Sequence, residues 1–220
     1  MKLDMHIHSS HSRDASGAPR DIALFCRNNG IDGFAITDHN SIGGWTEART
    51  ASEELGLVFV RAVEVSTKDG HVLAYGVREI VPRGLTVAET IEKVHDLGGV
   101  AIAAHPKRFP SGMGLALARD HPFDGIEVIN GGSSARSNRL ARSMAESKSS
   151  AITAGSDAHE LDQVGKAYTV FDGVSTEDDV LDKIRKKETA VGGRSRTTSE
   201  GIRYSWEVFL GWIKGDLTRL

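Results

Sequence analysis

Histidine and carboxylate carry the chemistry of this chain. His6-Ile7-His8 lies near the amino terminus, and because alternate residues of a strand share a face, its two imidazoles can grip one metal ion. The spacing returns in Gly155-Ser156-Asp157-Ala158-His159, where Asp157 and His159 alternate. Between the two come Thr37-Asp38-His39, Glu64-Val65-Ser66, His71 and His105-Pro106, each at the edge of an apolar run.

These groups meet only if the runs that carry them end at one place. Short β-like runs cover residues 3–8, 33–37, 57–65, 71–77, 100–104, 125–129, 151–154 and 167–171. Helical patterns fill 19–29, 43–55, 86–97, 134–147 and 176–187. Pro19 suits a first helical turn and Gly30 a stop. Alternation of this kind predicts parallel strands with crossover helices, as a doubly wound sheet or a barrel. In both, active sites form at the carboxyl ends of the strands. Only a short turn over 67–70 separates the runs of Glu64 and His71, so one antiparallel pair interrupts the pattern. The tail, 199–220, reads as a final helix packing Tyr204, Trp206, Phe209 and Trp212 against the body.

Composition narrows the function classes. A chain of 220 residues and 23.7 kDa, 39% hydrophobic with 24 glycines, fits one globular domain over 1–220 and excludes disordered or fibrous architectures. The formal charge of −3 suits neither nucleic-acid backbone nor an anionic membrane. Cys26 is the sole cysteine, so neither an internal disulfide nor a thiolate cluster can form, and it reads as buried helix packing. No apolar run approaches the ~18 residues of a membrane span, and the first residues lack a signal-peptide core. The expectation is a soluble, cytoplasmic protein.

The order His-x-His, Asp-His, Glu, His, His-Pro, Gly-Ser-Asp-x-His resembles the polymerase and histidinol phosphatase (PHP) family of metal-dependent phosphoesterases, from His6 to His159 and on through Gly165-Lys166-Ala167-Tyr168-Thr169. The resemblance implies a distorted (β/α)7 barrel, here followed by the C-terminal helix, with two or three metal ions at its carboxyl face. Position by position, it implies His6, His8, Glu64 and Asp157 around one ion, with Glu64 bridging to a second held by His71 and His105. Asp14, His39 and His159 would hold a third. Glu64, His39 and Asp157 are the candidate catalytic residues.

Six imidazoles and three carboxylates without thiolate suit Mn, Zn or Fe rather than Mg. Ions bridged by a carboxylate can activate water and neutralise a phosphoryl transition state. Asp38 and Glu127 are read as groups that orient ligands rather than bind metal. Arg108 is the first candidate for a substrate phosphate, because its planar fork suits bidentate binding. Lys107 and Arg136 are further candidates, with Arg139 on the same helix. His11 lies within reach of the site, whereas His95 and His121 read as structural. Gly131-Gly132 lacks the spacing of a dinucleotide fingerprint.

The leading reading is a phosphatase acting on a small phosphorylated substrate such as a nucleotide, with no extended nucleic-acid surface. A phosphodiesterase or exonuclease on short oligonucleotides, a metal-dependent amidohydrolase and a non-catalytic scaffold are the alternatives. Three divalent ions among three carboxylates would leave the site cationic despite the acidic chain.

Overall fold

The computed structural model describes residues 1–197 and 199–202. Among the described residues nine strands form one sheet: β1 (Lys2–Ile7), β2 (Gly33–Ile36), β3 (Val58–Ser66), β4 (His71–Tyr75), β5 (Val100–Ala103), β6 (Gly125–Asn130), β7 (Ala151–Gly155), β8 (Ala167–Val170) and β9 (Ala190–Gly193). They pair in sequence order, and β8 returns to pair with β1, so β1–β8 close an eight-stranded barrel. Around it lie α1 (Pro19–Asn28), α2 (Trp45–Leu55), α3 (Val87–Asp96), α4 (Leu115–Asp120), α5 (Ala135–Lys148) and α6 (Glu177–Arg185). The expected α/β barrel is thus the fold. Among the described residues no helix is long and apolar enough to cross a membrane.

Local chemistry explains most boundaries. Pro19 opens α1, Gly56 ends α2 in the left-handed conformation, and capping boxes start α3 (Thr86 with Glu89) and α6 (Thr176 with Asp179). The expected antiparallel pair is β3–β4, but β8 also runs antiparallel, to both β7 and β1. Its connection from β7 carries only a 3-10 turn at Leu161–Gln163, and a strand that arrives without a crossover helix returns antiparallel. The sequence pattern announces neither β9 nor the short α4. The expected tail helix opens at 199–202, and the rest of it lies outside the described residues.

Apolar side chains fill the barrel and both of its flanks. Leu3, Met5, Leu73, Tyr75, Val100 and Ile102 share a core with Val180, Leu181 and Ile184 of α6. Leu181 also sits against Gly76, just past the end of β4, while His71 begins that strand, so α6 plugs the barrel end remote from the histidines. Ile22, Ala23 and Cys26 of α1 pack with Ala48 and Ala51 of α2 on Phe34 and Ile36. Val87, Ile91 and Val94 of α3 pack on the opposite flank, against Ala101, Ala103 and Ile126.

Two register shifts let one strand serve both core and site. Between Asp4 and Ile7, β1 advances one residue more than β2, and β6 slips against β7 between Glu127 and Ile129. Each is a bulge that re-aims side chains. The first allows Leu3 and Met5 to face the barrel core while His6 reaches the site. The second brings Glu127 and Asn130, three residues apart, into hydrogen bonding.

Gly155 closes the barrel beside the site. A Cβ there would stand 2.3 Å from His6 Cβ and 2.4 Å from His6 N, so β7 and β1 meet only through glycine. Gly155→Ala is expected to cost about 1–3 kcal/mol of stability by overpacking, read as a lower urea midpoint with an unchanged slope.

Candidate metal centre

The end of the barrel opposite α6 collects the nine residues. His6 and His8 leave β1, Glu64 lies on β3, His71 opens β4, and His105 and Asp157 follow β5 and β7. His39 follows β2 and is drawn to Glu64 by a parallel bridge. Because β4 is antiparallel, its first residue falls at the end where its neighbours finish. Four sets have mutually close ligand atoms: His6, His8 and Asp157; His6, Glu64 and His105; His39, Glu64 and His71; and His8, His39 and His159.

Glu64 stands at the centre, 1% exposed, with its oxygens divided. Oε1 lies 2.8 Å from His71 Nδ1 and 2.9 Å from His105 Nε2. Oε2 lies 3.2 Å from His8 Nε2, 3.2 Å from His39 Nδ1 and 3.4 Å from His6 Nε2. Asp157 is divided as well. Its Oδ1 faces His8 and His6 at 3.3 and 3.6 Å, while its Oδ2 takes Arg108 Nη1 and the Asn130 amide. Asp14, in the loop after β1, presents Oδ2 to His159 at 3.2 Å and to His39 at 3.6 Å.

Behind these groups stand others that hold them. Glu127 accepts from His6 Nδ1 at 2.9 Å, from the His105 backbone N–H and from Asn130. Asp38 accepts the Ser9 N–H and the hydroxyls of Ser9 and Ser12. Asp4, two residues before His6, accepts N–H groups from His6, Ser156 and Gly165; burial lifts its carboxyl to about 6 against the pull of those bonds. Asp4 and Asn130 were not among the candidates that the sequence pattern offered. The Asp4-x-His6-x-His8 spacing was the signal for the first, but nothing in the sequence marked the second. His105 (φ 27°), Asp157 (φ 53°) and Asn40 (φ 49°) adopt left-handed backbones, a strain concentrated at the site.

The remaining candidates separate by position. Arg108 reaches Asp157, whereas Lys107 and Arg136 are exposed and, among the described residues, make no bond to the cluster. His11 packs on Gly43, His95 pairs with Asp124 at 2.8 Å, and His121 bonds the Leu117 carbonyl.

The donor set fits divalent cations. Imidazole nitrogens and carboxylate oxygens converge at 3.2–3.6 Å, with Asp14 Oδ1 and His105 Nδ1 buried and, among the described residues, without a hydrogen-bond partner. Without metal, protons balance the charge. Burial opposes ionisation of Glu64, yet His71, His6 and His39 draw its carboxyl well below the usual range. Burial likewise opposes ionisation of Asp157, but Arg108 and His6 hold it low. His39 is disfavoured as a cation by burial but raised by Glu64, Asp14 and Asp157 to about 9.

A closed α/β barrel with imidazoles and carboxylates gathered at one end is the build of a metal-dependent hydrolase. This chain belongs to the PHP family of metal-dependent phosphoesterases: residues 4–157 match the PHP domain and residues 135–189 the PHP-associated region. It is 36% identical over 141 residues to an uncharacterized protein of Methanocaldococcus jannaschii, covering 59% of this chain and 82% of that one. Over 99 residues it is 32% identical to a phosphoribosyl 1,2-cyclic phosphate 1,2-diphosphodiesterase of Eggerthella lenta, 42% of this chain and 37% of that protein. Its fold is similar to that of a two-domain Bacteroides vulgatus protein containing a predicted PHP-like metal-dependent phosphoesterase. The TM-score is 0.74 at 19% identity, covering 88% of this chain and 65% of that chain.

The folded pKa of His39 lies above the unfolded value of 6.5, so its contribution is complete below pH 6.5 and lost as pH rises through about 9. Metal-free protein in chelator is expected to lose stability across that window by urea midpoint, while metal uptake strengthens as ring protons leave. A midpoint that climbs over the same window would show that the ring is neutral in the metal-free fold.

Proposed function

We propose that this chain, acting as a single domain in the cytoplasm, hydrolyses phosphomonoesters of small, nucleotide-like molecules at a centre of two or three divalent ions. The observation that carries the reading is the division of Glu64, whose two buried oxygens face separate groups of imidazoles. His6, His8, Glu64 and Asp157 would hold one ion, Glu64, His71 and His105 a second, and Asp14, His39 and His159 a third. Bound there, Mn, Zn or Fe supplies Lewis acidity toward a phosphoryl oxygen and lowers the pKa of water.

The chain's own residues supply position and charge. Glu64 would hold two cations in fixed relation to each other. His39 turns one ring nitrogen to Glu64 and the other to Asp14, and would hold the third with Asp14 and His159. The side chains of His39, Asp14 and His159 are a quarter or more exposed, against 1% for Glu64, which supports substrate entry from that side. Arg108, beside Asp157 at the edge of the cluster, would donate to a phosphate oxygen. A nucleotide is favoured by Phe109, the next residue, which is 94% exposed. An aromatic ring so exposed beside a phosphate-binding arginine suits stacking on a base. The likeness to a diphosphodiesterase favours a second reading, cleavage of a phosphodiester in a small molecule.

A metal-reconstituted screen of nucleoside monophosphates, sugar phosphates, cyclic phosphates and short oligonucleotides separates these readings. Turnover of monoesters alone is expected, and diester turnover alone would replace the first reading with the second. Glu64→Ala is expected to abolish turnover and deplete bound metal by elemental analysis; full metal content and activity would remove the bridge. Phe109→Ala is expected to raise KM several-fold for nucleoside monophosphates and leave KM for ribose 5-phosphate unchanged.

A further inference from the structure

Three histidines of the centre present Nδ1 to a partner behind them. His6 faces the Glu127 carboxylate and His159 the Asp157 backbone carbonyl. Both partners accept only, so both rings carry the proton on Nδ1. His8 differs: its Nδ1 lies 3.2 Å from the Ser12 hydroxyl, which can donate or accept.

Proton counting settles the direction. A hydroxyl has one hydrogen and two lone pairs. Ser12 Oγ is 2.9 Å from the His39 backbone N–H, which can only donate, and 3.0 Å from Asp38 Oδ1. Asp38 already accepts the Ser9 N–H and hydroxyl, each at 2.7 Å. The Ser12 proton therefore goes to Asp38, one lone pair takes His39 N–H, and the other is left for an N–H from His8.

We infer that Ser12, aimed by Asp38, is the positioning residue that fixes His8 as the Nδ1–H tautomer and turns its Nε2 lone pair into the metal centre. His8 Nε2 then meets His6 Nε2 at 3.2 Å, lone pair to lone pair, with Glu64 Oε2 and Asp157 Oδ1 beside them. With both rings neutral such an arrangement is repulsive, and a proton or a cation among the four atoms relieves it. The same hydroxyl anchors the backbone of His39, so one small side chain serves two ligands from different strands. The network is closed to solvent, with Ser9, Asp38 and Ser12 all buried, and Gly44 packs so near that an added Cβ would stand 3.1 Å from both Asp38 Oδ2 and Ser9 Oγ. Water has little room to replace a lost partner.

The inference rests on the cluster being a metal centre, but its first test does not require metal. Long-range nitrogen-15 NMR on the metal-free protein, at a pH where the His8 ring is neutral, is expected to show Nδ1–H. Ser12→Ala is expected to move His8 toward the Nε2–H form that a free side chain prefers, and to weaken zinc binding about 10- to 100-fold. Ser12→Thr, which keeps the hydroxyl, is expected to restore both. His8 found as Nε2–H in the unaltered protein would overturn the inference, and that result stands even where Ser12→Ala fails to fold. So would Ser12→Ala with an unchanged tautomer and zinc affinity. If the unaltered protein bound no zinc, the metal reading would fall while the tautomer comparison still decided the role of Ser12.

Discussion

The structure turns on one buried carboxylate. Burying the charge of Glu64 without compensation would be prohibitive, and here five imidazoles from three strand ends and one strand start surround it. Each strand must therefore deliver its histidine to the same few ångströms. The closed barrel makes that possible, because parallel strands end together and the antiparallel β4 begins where they end. In the metal-free state, protons on the rings carry the positive charge. Divalent ions would take over that work, so loading the centre is an exchange of cations at a site the fold has already built.

A regular barrel could not fill its interior and furnish its mouth from the same strands. The shifts in β1 and β6 resolve this conflict by inserting a residue where the strand passes from core to site. Backbone strain falls just past β5 and β7: His105 and Asp157 hold left-handed conformations, pinned by hydrogen bonds from their N–H groups to Glu127 and to the His6 carbonyl. Those bonds outweigh local preference and set the angle at which each side chain enters.

A layer of acceptors behind the cluster gives the ring nitrogens their direction. Glu127 aims His6, the Asp157 carbonyl aims His159, and Asp38 acts on His8 through Ser12. Asn130 ties Glu127 to Asp157 and is itself held by Asn138. A single glutamate within β6, Glu127, thus supports two elements at once, His6 of β1 and the backbone after β5. Nothing in its local sequence separates that role from a solvated charge, because the partners lie 121 and 22 residues away.

By itself the sequence determined the alternation of strands and helices, the short β3–β4 turn, and eight donors at or near strand termini, while the ninth, Asp14 in the loop after β1, came only with the resemblance to the PHP family. These are local facts, expressed in period-2 and period-3.6 patterns and in residue type, and they suffice for an α/β barrel with a nitrogen and oxygen site. The tertiary structure alone decided which donors meet. It set β8 antiparallel through a loop without a helix, placed two bulges that no periodicity reveals, brought Arg108 onto Asp157 while Lys107 and Arg136 stayed at the surface, and enlisted Asp4, Ser12 and Asn130. Those outcomes depend on contacts between residues far apart in the chain, and the buried charge of Glu64 exists only once the barrel has closed around it.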